Sequence, residues 1–290
     1  MKEPTIIQAH TSHVTSVLFT GDSQLLLSAG MDNTVKLWAV PSWELVRTFE
    51  GHEKSVNGLA LSPDGALLAT SSSDRTCRLW AFPSGEAILT LRGHKEATTA
   101  IGISPYGQTL ATGSYDGTVR LWSLPDGEGL AVLEHDDRVS RIEFSPDGKT
   151  LATAGMGERV LLWSASGEPI QRLTAHEVAV TGLAFARDGR LLASAGYDQT
   201  VKLWSTREWQ MVRQMDLGVK GLYPLAFSPD GDTLAMGAEH RLLLWSTADG
   251  TLLEDIAVKP KGNYSLAFSP DGRWLALGSA DKRVRVWELE

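Results

Sequence analysis

The chain has 290 residues, 42% hydrophobic and 21% charged, with a formal net charge of −8. That acidity argues against general nucleic-acid binding, and a single cysteine, Cys77, rules out an intramolecular disulfide. No stretch approaches the ~18 apolar residues of a membrane helix, and the opening MKEPTIIQAH holds no apolar run of signal-peptide length, so a soluble, cytoplasmic protein without membrane contact is expected.

In chain order, the first predicted element is a short strand at residues 5–8, leading into Ala9-His10. It has no partner nearby. Next comes a segment in which Val14 and Val17 are three apart, where a strand should alternate by two. The same step recurs from Val56 to Leu59, Val139 to Ile142 and Val180 to Leu183, and one extra residue in a strand predicts a β-bulge. The unit spanning residues 51–92 shows the whole pattern. Strands are predicted at 56–61, 66–70, 76–81 and 86–91, with turns at Ser62-Pro63-Asp64-Gly65 and Pro83-Ser84-Gly85. The SPDG turn returns at Ser145, Ser228 and Ser269, with TGDS, SPYG and ARDG as variants.

The third strand of each unit ends in tryptophan. The frames are MDNTVKLW, SDRTCRLW, YDGTVRLW, MGERVLLW, YDQTVKLW, AEHRLLLW and ADKRVRVW, ending at Trp38, Trp80, Trp122, Trp163, Trp204, Trp245 and Trp287. A constant period of ~40–45 residues signals a propeller array, in which each four-stranded blade must stack on its neighbours to bury both faces. The last unit stops after its third strand, at 284–289, so the orphan strand at the start is expected to complete it. The reading is an all-β, seven-bladed β-propeller of four-stranded antiparallel blades, closed by the N-terminal strand and forming one domain over residues 1–290.

With GH or AH openings, SPDG turns and D-x-T-V-x-L-W frames recurring in register, with variants, through seven repeats, the chain resembles the WD-repeat β-propeller family over essentially its whole length. The resemblance implies a non-enzymatic scaffold for protein–protein interaction. It also implies a structural role for residues that look catalytic. His52, Thr70, Asp74 and Trp80, then His94, Thr112, Asp116 and Trp122, then His176, Ser194, Asp198 and Trp204 match the family's buried hydrogen-bond chain from Trp through hydroxyl and His to Asp. His10, Ser28, Asp32 and Trp38 follow the same scheme. These are not Ser–His–Asp triads, and no G-x-S-x-G elbow accompanies them. Blade 4 departs with Gly157 at the Asp position. Blade 6 has Ala235 for the hydroxyl and Glu239 for Asp, and blade 7 has Leu277 for the hydroxyl and no opening His. Cys77 stands where sister blades have Val and is expected as a buried hydrophobe. His10 and His13 are three apart, too few ligands for a metal site, and no cofactor is expected.

The bulge aims its flanking residues at one rim, the family's top face, joined there by the residue before each Asp. Round the ring these are His13, Thr15 and Met31; Ser55, Asn57 and Ser73; Ala97, Thr99 and Tyr115; Arg138, Ser140 and Met156; Ala179, Thr181 and Tyr197; Gly221, Tyr223 and Ala238; Gly262, Tyr264 and Ala280. Four of the five tyrosines land in this set, and Tyr, Met and Arg are enriched in interface cores. The expected partner-binding residues are therefore Tyr115, Arg138, Met156, Tyr197, Tyr223, Tyr264, Met31 and His13. Lys220, Lys259 and Lys261 beside them suit an acidic or phosphorylated peptide, with three solvated loop lysines as the plainer reading. A small ligand or glycan at the Tyr-lined mouth of the central channel is the alternative. A monomer is expected outside any larger complex. Trp43, Trp209 and Trp274 fall outside the frame, either packing locally or marking a second contact.

Overall fold

The computed structural model describes residues 2–219, 224–259 and 262–289. Seven four-stranded antiparallel sheets form the ring. In six of them the strands follow chain order from the axis outward. Blade 1, for example, runs Val14–Phe19, Leu25–Gly30, Val35–Ala39 and Leu45–Phe49. First strands of neighbouring blades meet around the axis. The seventh blade is composite, as the count of strands requires. Thr5–Ile7 pairs antiparallel with Val284–Glu288, Thr5 facing Val286 and Ile7 facing Val284. A bond from the His10 N–H to the Lys282 carbonyl (3.0 Å) fastens the closure.

The bulge lies where the three-residue step places it. Val14 faces Gly30 and Ser16 faces Ala29, so Thr15 is the extra residue. Asn57, Thr99, Ser140, Thr181 and Tyr264 are extra in the same way. The SPDG turns hold as predicted. Gly65 has φ +68, and the Ser62 hydroxyl donates to Asp64 while accepting the Leu67 N–H.

The core is divided among the seams. Seven apolar clusters each draw on two adjacent blades, and each frame tryptophan packs at the seam with the preceding blade. Trp80, for instance, joins Leu27, Leu37 and Phe49 of blade 1, and its ring meets Phe49 edge to face at 5.9 Å. Cys77 is buried in the seam between blades 2 and 3, where burial pushes its thiol pKa up. Trp43 and Trp209 pack locally: Trp43 sits edge-on to Trp274 at 5.3 Å and Trp209 against Phe185 at 6.4 Å. Both hold positive φ, 58° and 53°, in turns where sister blades use Gly85, Gly127 and Gly250. Among the described residues, no helix is long and apolar enough to cross a membrane.

Removing residues 1–9 takes away the outer strand of blade 7 together with buried Ile7 and Ala9. The expected result is a melting temperature lower by at least ~5 °C and aggregation through the bared edge. Calorimetry and light scattering would check it, and a truncated chain as stable and soluble as the parent would refute strand exchange.

Candidate functional site

The top face is built on the hydrogen-bond chain beneath it. In blade 2 the Trp80 Nε1–H donates to the Thr70 hydroxyl (3.0 Å), which lies 2.8 Å from His52 Nε2. His52 Nδ1 is 2.8 Å from Asp74. The same chain joins Trp38, Ser28, His10 and Asp32 in blade 1, Trp122, Thr112, His94 and Asp116 in blade 3, and Trp204, Ser194, His176 and Asp198 in blade 5. Each hydroxyl residue is fully buried. The Asp also accepts the N–H of the residue after the His and the hydroxyl of a Thr two residues on, as Asp74 does from Glu53 and Thr76. Core packing is thereby tied to the shape of the top loops.

These environments fix the charges. Burial lowers the pKa values of His10, His94 and His176, outweighing the pull of their carboxylate partners, so the rings stay neutral. Burial works to raise the Asp116 carboxyl, but hydrogen bonds from Thr118, the Lys95 N–H and His94 overcome it and hold it down to about 2. Asp74 is depressed still further against the same opposition.

The three divergent blades differ. In blade 7 Arg285, 5% exposed, replaces His: its guanidinium reaches both Asp281 oxygens (3.1 and 2.7 Å) and the Lys259 carbonyl. Asn263 joins in, donating to the Ala238 carbonyl (2.6 Å) and accepting from Ser279 (3.3 Å). Sequence reading missed both. The available signal was the basic residue two before Trp, since Lys36 and Lys202 likewise bond the carbonyls of Ala9 and Ala175. In blade 6 the Trp245 Nε1 has no partner among the described residues. In blade 4 Trp163 still donates to Thr153 (2.8 Å), but neither nitrogen of His135 is bonded.

On the rim, a backbone bond in six of the blades joins two of the residues that sequence analysis grouped. The N–H of Met31 meets the His13 carbonyl (2.9 Å), Tyr115 meets Ala97 (3.0 Å), Met156 meets Arg138 (3.0 Å) and Tyr197 meets Ala179 (3.0 Å). Met31, Met156 and Tyr197 are each 40% exposed. Arg138 stacks its guanidinium over Tyr115 across a seam (5.3 Å), and His13 lies flat on Tyr264 across the closing seam (5.7 Å). Tyr223, with Lys220, Gly221 and Lys261, lies outside the described residues, and Lys259 alone of the three lysines is described, exposed.

The middle positions largely serve the ring. Thr15 donates to the Val56 carbonyl (2.6 Å), Asn57 to Thr98 (2.8 Å) and Thr99 to Val139 (2.5 Å), so each bulged side chain clasps the next blade. Ala179, Thr181 and Ala238 are buried, against the rim reading: Thr181 donates to the Ala195 carbonyl of its own blade (3.3 Å), and Ala238 packs into the apolar cluster between blades 5 and 6.

Inside the ring, a channel cavity of about 250 Å³ is lined by polar groups including Ser16, Asn57, Arg141 and Glu143. Enclosure raises the Glu143 carboxyl to about 7, against the pull of Arg141. A roomier cavity, about 720 Å³, opens at the SPDG mouth among Leu18, Leu61, Ile103 and Phe144, and no tyrosine lines it. No group of three or more His, Cys, Asp or Glu that could hold a metal occurs among the described residues.

Seven blades, a Trp–hydroxyl–His–Asp chain and a bulged inner strand define a WD-repeat propeller. The family described as WD domain, G-beta repeat matches at residues 1–39, 43–81, 85–123, 127–164, 167–205 and 261–288, so the chain belongs to the WD40 repeat family. The unmatched stretch holds blade 6, where the motif residues are replaced together. No curated protein matches the chain. Propellers of this family are typically non-enzymatic scaffolds for protein interaction.

Two outcomes are expected. Trp80→Ala should cost ~3–5 kcal/mol, as a buried aromatic does, measured by urea unfolding, and an unchanged midpoint would show that the frame is not core. Acid should act in two stages. Histidines whose folded pKa values lie below 6.5 leave the unfolded state holding more protons as pH falls through 6.5, so stability drops there. Carboxyls depressed from 3.8, such as Asp116 at about 2, add a second loss as pH falls from their unfolded value through the folded one. Urea midpoints between pH 8 and 2 measure both stages, and a flat profile from pH 7 to 5 would contradict neutral buried rings.

Proposed function

We propose that the whole chain, residues 1–290, acts as one non-enzymatic module that binds a protein partner on the top rim. The observation that carries this is the cluster across blades 3 to 5: Tyr115 under Arg138, with Met156 and Tyr197 each 40% exposed. Aromatic, Met and Arg side chains grouped on an exposed face are the composition of interface cores. The rim residues are also pre-positioned by backbone bonds, which lowers the ordering cost of binding. Met31 and the His13–Tyr264 stack extend the surface to blades 1 and 7. Arg138 and Lys259 favour a partner with acidic or phosphorylated residues.

Catalysis has no support at the His–Asp sets. Their hydroxyls are fully buried and already accept the Trp N–H, so no substrate reaches them. A small ligand or glycan at the channel mouth is the second reading, favoured by Arg141, Glu143 and Tyr264, which line the channel cavity. A thermal-shift screen against metabolites and sugars separates the two, since a ligand stabilises the state it binds.

The rim reading predicts that Tyr197→Ala and Arg138→Ala each weaken binding of a partner recovered by pull-down by ~2 kcal/mol, about 30-fold in Kd. Both should leave the melting temperature within ~1–2 °C of the parent. Lys149→Ala, on the SPDG side, is the control. Binding that survives both rim changes and fails in Lys149→Ala or Trp43→Ala would move the site to the opposite face.

A further inference from the structure

Blade 4 keeps Trp163, Thr153 and His135 but has no Asp, and only the bond from Trp163 to Thr153 is made. In blades 1, 2, 3 and 5 a carboxylate lies 2.8–3.1 Å from the His Nδ1. It also accepts, at 2.8–3.1 Å, the N–H of the residue after the His. In blade 4 the carboxylate position is Gly157, and both enclosed nitrogens of His135 are left without a partner. A cavity of about 360 Å³ opens there, walled by His135, Asp137, Met156, Gly157, Arg159 and Val178 among others.

Sterics do not demand that glycine. A Cβ on Gly155, in the same blade, would lie 1.7 Å from the Arg138 carbonyl oxygen, so Gly155 is obligatory. A Cβ on Gly157 meets nothing nearer than Asp137 at 3.6 Å, and its φ lies outside the left-handed region. The repeat therefore has room for a carboxylate beside an imidazole whose two nitrogens have no partner.

We propose that this vacancy is a receptor for the side-chain carboxylate of an Asp or Glu on the partner protein, which gives His135 the anionic partner that its counterparts in blades 1, 2, 3 and 5 have. The proposal rests on the rim reading above and names one chemical group that the rim takes. Met156 and Val178, 40% and 49% exposed, flank the opening and give apolar seats to the residues on either side of the acid. The cavity wall also carries Asp136, Asp137, Glu158 and Glu177. Asp136 is held by Arg159 (3.2 Å) and Arg172 (3.0 Å), and Asp137 accepts the Arg138 N–H (2.7 Å). Glu177 already neighbours a buried carboxylate, since its own N–H donates to Asp198 in blade 5. The incoming carboxylate is held by short charge-assisted bonds to the imidazole and the amide, and repulsion from these neighbouring acids limits its affinity.

The test is a titration of isotope-labelled protein at pH 7.5, following the His135 imidazole resonances. The probes are N-acetyl-aspartate N-methylamide for the side chain, N-acetylalanine for a chain terminus, and N-acetyl-lysine N-methylamide as the cationic control. The aspartate probe should displace the resonances saturably, with half-saturation at ~10–100 mM, the weakness expected of so few ligand atoms. In Gly157→Asp the displacement should vanish, and the melting temperature should rise by ~2–4 °C as the chain is completed internally. No saturable displacement, an equal response in Gly157→Asp, or stronger binding of the lysine or alanine probe would overturn the proposal. The titration needs no partner, so its result and that of the rim variants Tyr197→Ala and Arg138→Ala stand or fall separately.

Discussion

An indole N–H buried in a β-sheet core must find an acceptor, and much of this molecule follows from that requirement. Tryptophan brings the area that seals each blade against its neighbour, but it also brings one donor that water cannot reach. In five blades a Ser or Thr hydroxyl on the adjacent strand accepts it. That hydroxyl has its own proton to place, and in four of the five His Nε2 takes it. The ring must then carry its proton on Nδ1, which selects one tautomer and calls for an anion on the far side. The Asp that answers stands in the top turn and collects backbone donors there, as Asp74 does from the Glu53 and Thr76 N–H groups. A demand raised in the seam thus shapes the surface above it.

The same demand has more than one solution. Blade 7 discards His and hydroxyl together and installs Arg285, whose fork satisfies Asp281 and reaches the preceding loop. Replacing the set costs less than breaking it, because a half-satisfied buried network strands polar atoms. Blade 4 did the opposite, keeping His135 without the acid and leaving both ring nitrogens unpartnered. Blade 6 lies between, with Trp245 Nε1 unpartnered among the described residues.

The architecture was legible because it is written seven times. The Trp interval sets the blade count, the step from Val14 to Val17 sets the bulge, and the surplus strand at the start meets the deficit at the end. Each of these is a local rule that repetition makes unambiguous. The rim was legible in part. Met31, Tyr115, Met156 and Tyr197 are placed by a backbone bond that every regular blade repeats. Thr15, Asn57 and Thr99 read as rim residues because a bulge redirects them, yet their hydrogen-bonding groups turn to the next blade's carbonyls. That choice depends on the spacing between blades, which no single repeat encodes. Arg285 was hidden for a related reason: its role emerges only when the neighbouring Asp281, Asn263 and Ser279 are seen together.

A perfectly regular ring would present seven identical sectors and no means of preferring one partner orientation over another. Here the sectors differ where the repeat is broken or decorated. Blades 3 to 5 carry the Tyr115–Arg138 stack, Met156 and Tyr197 on turns held by regular bonding, so their positions are fixed before anything binds. Among them lies blade 4, in which His135 meets no acceptor. Local rules that fail inside an otherwise consistent fold tend to mark function, because the stability they forgo must be recovered elsewhere. In blade 4 the recovery is available from outside, through a carboxylate that takes the place of the Asp missing at position 157.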